Sequence, residues 1–151
     1  MDFNFLTINE YQALAPEMVL ALSGLDKLYF PTPWTLADWQ NLHEKSHLLV
    51  ILVSNKIIIG FCLFNMSVAD SFCHLLKIVI IPDYRKRGLG KILLENSLNQ
   101  LQLIGCTQFF LEVEETNTAA RDLYLSFDFK IIHRKKDFYG TGRMALIMFK
   151  S

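Results

Sequence analysis

Leu75-Leu76-Lys77-Ile78-Val79-Ile80-Ile81-Pro82-Asp83-Tyr84-Arg85-Lys86-Arg87-Gly88-Leu89-Gly90-Lys91-Ile92-Leu93-Leu94 is an apolar run, a cationic turn with two closely spaced glycines, and the start of an apolar helix. Amides left free in the first turn of a helix, together with the positive end of its dipole, form a site for anions. Gly88 and Gly90 let a bulky phosphate approach the main chain with no side chain in the way. Arg85, Lys86 and Arg87 before the helix and Lys91 within it add Coulomb attraction. The stretch reads as a strand, a pyrophosphate cradle and a helix.

The surrounding chain limits what this cradle serves. At 151 residues it fits one domain, 1–151, able to bury about two-thirds of the surface its unfolded form exposes. Hydrophobic residues make up 52% and charged residues 20%, the balance of a compact folded protein rather than a disordered one. Lys+Arg and Asp+Glu number 15 each, which argues against a general nucleic-acid binder or a membrane-surface binder. Cys62, Cys73 and Cys106 are far apart and odd in number, without a CxxC pair. That spacing speaks against a disulfide framework or a zinc site, and for a reduced, cytoplasmic setting. No basic segment followed by an apolar run opens the chain, and the longest apolar region is broken at Ser54-Asn55-Lys56.

Working outward, residues 3–8 suit a first strand, and Asn9 with Gln12 suits a helix cap until Pro16 forces a restart. Thr35 with Asp38 resembles a capping box for a short helix carrying Leu36 and Trp39. The aromatic, proline-stiffened loop around Trp34 either lines an acceptor pocket or covers the core. Residues 47–53 and 57–65 read as a hairpin, and 72–81 as a central strand, apolar on both faces apart from Lys77. A helix over 88–103 shows Leu94, Leu98 and Leu101 at i, i+4, i+7 and closes at Gly105. A strand over 107–113 follows, with Phe110, Glu112 and Glu114 on one face. Asn117 then precedes a helix striped by Ala120, Leu123, Tyr124 and Phe127, and residues 129–136 and 144–149 form a closing pair of strands.

Gly88-Leu89-Gly90 is not a dinucleotide fingerprint, because Leu93 stands where the third glycine would be needed. Nor does a P-loop pattern occur. What remains, Arg-x-x-Gly-x-Gly after a strand, resembles the acetyl-CoA motif of the GCN5-related N-acetyltransferases (GNATs). The downstream Leu111-Glu112-Val113-Glu114-Glu115-Thr116-Asn117 through Tyr124 is similar to the bacterial branch that acetylates the N-terminal alanine of a small-subunit ribosomal protein. The resemblance runs from Leu75 to Phe129 and continues more loosely through Phe138-Tyr139. It implies an α/β (α+β) fold: a mixed, mostly antiparallel sheet of about six to seven strands, splayed at its centre and flanked by about four helices.

The resemblance also assigns roles. Ile78, Val79 and Ile80 would offer main-chain groups to the pantetheine arm and acetyl carbonyl. Arg85, Lys86, Arg87, Gly88, Leu89, Gly90 and Lys91 would hold the pyrophosphate, in agreement with the direct reading of those residues. Glu112 would be the general base, with Glu114 a competitor on the same face. A free α-amine titrates near about 8, so a base or water relay is useful at neutral pH. Tyr124 would be the general acid for the departing thiolate, although its place on the apolar stripe also suits packing. Asn117 would bond the coenzyme and cap its helix at once. Trp34, Glu114, Phe138 and Tyr139 would shape the acceptor groove. Two positions depart from the branch pattern, Glu114 in place of Arg and Asp128 in place of Gly. Glu114 makes the acceptor side more acidic, which would favour a cationic amine.

These readings converge on a cytoplasmic, acetyl-CoA-dependent N-acetyltransferase, monomeric or weakly dimeric, acting on a protein N-terminus by direct transfer in a ternary complex. A small amine such as a polyamine or amino sugar is the second acceptor, and a non-catalytic coenzyme A-binding module the third reading.

Overall fold

Asn55 and Lys56 both take positive φ, 50° and 65°. A two-residue turn of that kind matches the twist of its strands, and β2 (His47–Ser54) and β3 (Ile57–Ser67) pair antiparallel across it. This is the centre of the computed structural model, which describes residues 2–151. On one side β1 (Asn4–Ile8) pairs with β2, and on the other β4 (Phe72–Ile80) pairs with β3, both antiparallel. The chain then crosses over through α3 (Leu89–Leu103), so β5 (Gln108–Glu114) runs parallel to β4. After α4 (Thr118–Ser126), β7 (Ala145–Lys150) inserts between β5 and β6 (Lys130–Lys135). The result is a mostly antiparallel seven-stranded sheet in the order β1-β2-β3-β4-β5-β7-β6.

β2 is apolar on both faces because both are covered. Val50 and Leu52 join Leu93, Leu94 and Leu98 of α3 and Tyr124 of α4 in one cluster. Leu49 and Ile51 join Leu22 of α1 (Pro16–Tyr29) and Trp39 of α2 (Leu36–Gln40) in the other. Thr35 and Asp38 form the expected capping box, each side chain accepting from the other's amide at 3.1 and 2.8 Å. Asn9, by contrast, caps no helix. Its amide donates to Gln12 Oε1 in an isolated turn, and the helix begins at Pro16. The residue before a proline is pushed toward extended geometry, and Ala15 has ψ of 147°.

The expectation against a disulfide is corrected: Cys73 and Cys106 are bonded, 33 residues apart in sequence. The cause is tertiary. Parallel pairing sets Phe72 opposite Gln108, which brings the start of β4 beside the turn that enters β5. Cys62 remains free, and burial pushes its thiol up to about 12.

One irregularity prepares the site. Leu63 of β3 faces Lys77 while Phe64 faces Leu75, so Leu76 is an extra residue in β4. Such a bulge bends and twists its strand. Pairing with β5 runs only from Phe72–Gln108 to Leu75–Leu111, and beyond the bulge the two strands part.

Candidate active site

The wedge between the diverging halves of β4 and β5 opens into a groove of about 790 Å³, within the range of small-molecule sites. Its floor is main chain. Residues 78–80 pair with Cys62, Phe61 and Gly60 of β3 on one edge, and their other edge has lost β5 as a partner. Ile78, Val79 and Ile80 all line the groove. Gly60 permits this arrangement, since a Cβ there would lie 2.5 Å from the Val79 carbonyl oxygen.

At one end of the groove lies the turn into α3. Lys86 and Gly88 both take positive φ, 63° and 75°, on either side of Arg87. Alternating left- and right-handed residues turn successive amides inward as an anion nest, and the free amides of the first helical turn continue it. Arg85, Lys86, Gly88, Leu89, Gly90 and Lys91 line the groove here. Such a cradle suits a diphosphate. Arg85 has a second part to play here: its Nε donates to the Ile80 carbonyl at 2.7 Å and its guanidinium covers the Tyr29 ring, so it also anchors the end of β4. Arg87 lies over the Tyr84 ring, outside the lining.

Glu112 and Tyr124 both line the middle of the groove. Tyr124 is 5% exposed, and burial, with smaller contributions from Cys62 and Tyr139, raises its hydroxyl above the ordinary 10. It therefore keeps its proton at neutral pH, as a donor must. Glu112 is partly exposed, and its Oε2 lies 2.6 Å from His74 Nε2. Asn117 lines the groove while its Oδ1 accepts from the Ala120 amide at 3.3 Å, the cap expected of it.

The acceptor side departs from the sequence reading. Glu114 and Tyr139 line the groove, but Trp34 and Phe138 do not. Trp34 packs between Trp39 and His47, and Phe138 lies against Tyr139 and Lys135. Nor is Glu114 a free negative charge. Arg143 binds it bidentately at 2.6 and 2.7 Å, holding its carboxyl below the usual range. Arg143 also covers the Tyr139 ring, and burial pushes that phenol up to about 12.

Four contributors were not identified in the sequence. Lys77 Nζ meets Asp26 Oδ1 at 2.9 Å and the Thr32 carbonyl at 3.4 Å. Asp26 Oδ2 accepts from the Trp34 amide and from Trp39 Nε1, so one buried carboxylate ties β4, α1, the loop and α2 together. A signal existed: Lys77 is the one charge in an apolar strand, and Asp26 lies four residues after Leu22 on the buried side of α1. For His74 and Arg143 there was none, because their partners come from other strands.

Residues 13–129 match the family model described as the acetyltransferase (GNAT) family. The chain belongs to this family of acyltransferases, which move the acetyl group of acetyl-CoA. Among its relatives is the [ribosomal protein bS18]-alanine N-acetyltransferase of Haemophilus influenzae, 33% identical over 120 residues that cover 77% of this chain and 80% of the relative. The enzyme of the same name from Escherichia coli K12 is 30% identical over 119 residues, 77% of this chain and 79% of its own. In three dimensions the chain superposes on the E. coli ribosomal-protein-S18-alanine N-acetyltransferase with a TM-score of 0.82, covering 97% of this chain and 93% of that one at 24% identity. Arabidopsis thaliana NAA60 in complex with a bisubstrate analogue gives 0.82 at 20% identity, covering 98% and 97%.

Proposed function

We propose that residues 1–151 form one N-acetyltransferase domain that acetylates the α-amine of a protein N-terminus, an alanine-starting one by analogy with the ribosomal-protein relatives. The observation that carries the reading is the wedge itself: an anion nest, an unpaired strand edge, a carboxylate and a proton-holding phenol share one groove. The acetyl-CoA arm lies along Ile78–Ile80, where backbone donors stabilise the developing oxyanion. Glu112 takes the proton of the incoming ammonium through water, and the amine attacks the acetyl carbonyl directly in a ternary complex. Tyr124 gives its proton to the leaving thiolate as the C–S bond breaks. Pairing of Glu114 with Arg143 removes the reason to expect a polyamine, since the acidic surplus that would attract one is neutralised. A cytoplasmic monomer or weak dimer is kept by analogy with the bacterial relatives, the Cys73–Cys106 bond having removed the argument from unpaired cysteines.

The test is thiol release from acetyl-CoA with Ala-, Ser- and Met-starting peptides beside polyamines and amino sugars. Turnover is expected with the peptides, Ala foremost. Turnover with small amines alone rejects the protein acceptor, and acetyl-CoA binding without turnover on any amine rejects the enzyme.

A further inference from the structure

Glu112 has a companion that the transfer chemistry does not by itself require. His74, on β4 before the bulge, reaches across to β5 and places Nε2 2.6 Å from Glu112 Oε2. Its ring is held flat against Phe110, centroids 3.9 Å apart and planes within 16°, and Phe110 stacks in turn on Phe72 at 4.7 Å. Phe72 and His74 alternate on β4, as Phe110 and Glu112 do on β5, and the parallel pairing of Phe72–Gln108 through Leu75–Leu111 fixes the two sets relative to each other. Glu112 lines the groove and His74 does not, so the imidazole approaches the carboxylate from behind.

We infer that His74 is the positioning residue of the base: its Nε2–H holds Glu112 Oε2 and leaves Oε1 to receive the substrate's proton. This rests on the reading of Glu112 given above. A carboxylate on a strand face otherwise rotates among several orientations. One fixed donor at its far oxygen removes that freedom, as the orienting member of a catalytic pair does. The proton path balances without a further reactant: the ammonium proton passes by water to Oε1 and thence to solvent, while the Nε2 proton stays in place. The other charged and titratable groups near this pair are already engaged or lie further out. Lys77 is bound to Asp26 and Glu114 to Arg143, and Tyr139 feels the Glu112 charge across the groove. β7 sets Ile147 opposite Glu112, with His133 of β6 one strand beyond.

The full chain is assayed with acetyl-CoA and an alanine-starting peptide from pH 5.5 to 9, alongside Glu112→Gln, His74→Gln and His74→Phe. His74→Phe, which keeps the stack and loses the donor, is expected to lower kcat about tenfold or more with KM nearly unchanged. His74→Gln, which still offers an N–H donor to Glu112, is expected to recover most of kcat. Equal impairment of the two variants, or wild-type kcat in His74→Phe, overturns the proposal. If Glu112→Gln is fully active, the base assignment fails with it; if only Glu112→Gln is impaired, the base stands and His74 is excluded. A measurement independent of turnover is ¹⁵N NMR of the imidazole at pH 8. An Nε2–H tautomer that weakens in Glu112→Gln supports the bond, and an Nδ1–H tautomer excludes it even if every peptide proves inert.

Discussion

Burial suits the Tyr124 hydroxyl to the role of acid proposed for it. A phenol that ordinarily titrates at 10 is raised further by desolvation, so it stays protonated wherever the enzyme works. Proton donation to the thiolate and packing in the core are then separable, because phenylalanine preserves the second only. Tyr124→Phe is expected to bind acetyl-CoA with unchanged Kd, by calorimetry, while kcat falls on the order of 10²-fold or more. The natural chain should also show no alkaline loss of kcat attributable to this residue up to about pH 10. Glu114 illustrates the opposite case. Alone it would be an acidic feature of the acceptor side, but Arg143 converts it into half of a bidentate clamp that holds the loop of Tyr139 over the groove.

Between elements, the decisive contacts are those that fix β4. Lys77 and Asp26 form an ion pair with side chains 5% and 0% exposed, its carboxylate further satisfied by Trp34 and Trp39. Breaking one partner leaves a buried charge alone, which costs about 3–5 kcal/mol. Asp26→Asn and Lys77→Met should each lower stability by that order in urea titrations, while the double replacement Asp26→Leu with Lys77→Met should lose much less than the sum. The single changes should also free the 30–35 loop, whose Thr32 carbonyl and Trp34 amide the pair holds. Gly60 restrains the same strand from its other side. Gly60→Ala would drive a methyl group against the Val79 carbonyl and Ile80 Cδ1, so about 1–3 kcal/mol of stability should be lost. Acetyl-CoA binding should weaken with it, since Val79 and Ile80 line the groove; unchanged Kd in calorimetry would show that β4 absorbs the shift.

For the molecule as a whole, acid stability has a readable first step. His47 is buried beneath Trp34, and desolvation lowers its pKa below the ordinary 6.5, only partly offset by its bond to the Leu42 carbonyl. Unfolded, the same imidazole protonates first as pH falls, so its contribution is complete above about 6.5 and is lost progressively below it. The two carboxylates with lowered values, Asp38 and Glu114, act in a lower window, since their ordinary values are 3.8 and 4.5. Thermal midpoints of the natural chain should therefore fall between pH 7 and 5, and those of His47→Gln should fall less over that interval.

What could be read from the sequence was whatever depends on near neighbours in the chain. Apolar alternation, the Asn55-Lys56 turn, the Thr35–Asp38 box and the glycine-bearing bend before α3 are local, and they were enough to indicate a mixed sheet with a cradle for an anion. Glu112 and Tyr124 were legible only through a pattern shared with the family, since nothing local separates Glu112 from Glu114. The tertiary structure alone decided the rest, because the relevant partners are far apart in sequence and adjacent only once strands have paired. The bulge at Leu76 parts β4 from β5, His74 meets Glu112, Arg143 cancels Glu114, Asp26 claims Lys77, and Cys73 finds Cys106. Each depends on register between strands, and register is set by packing of the whole sheet rather than by any one segment.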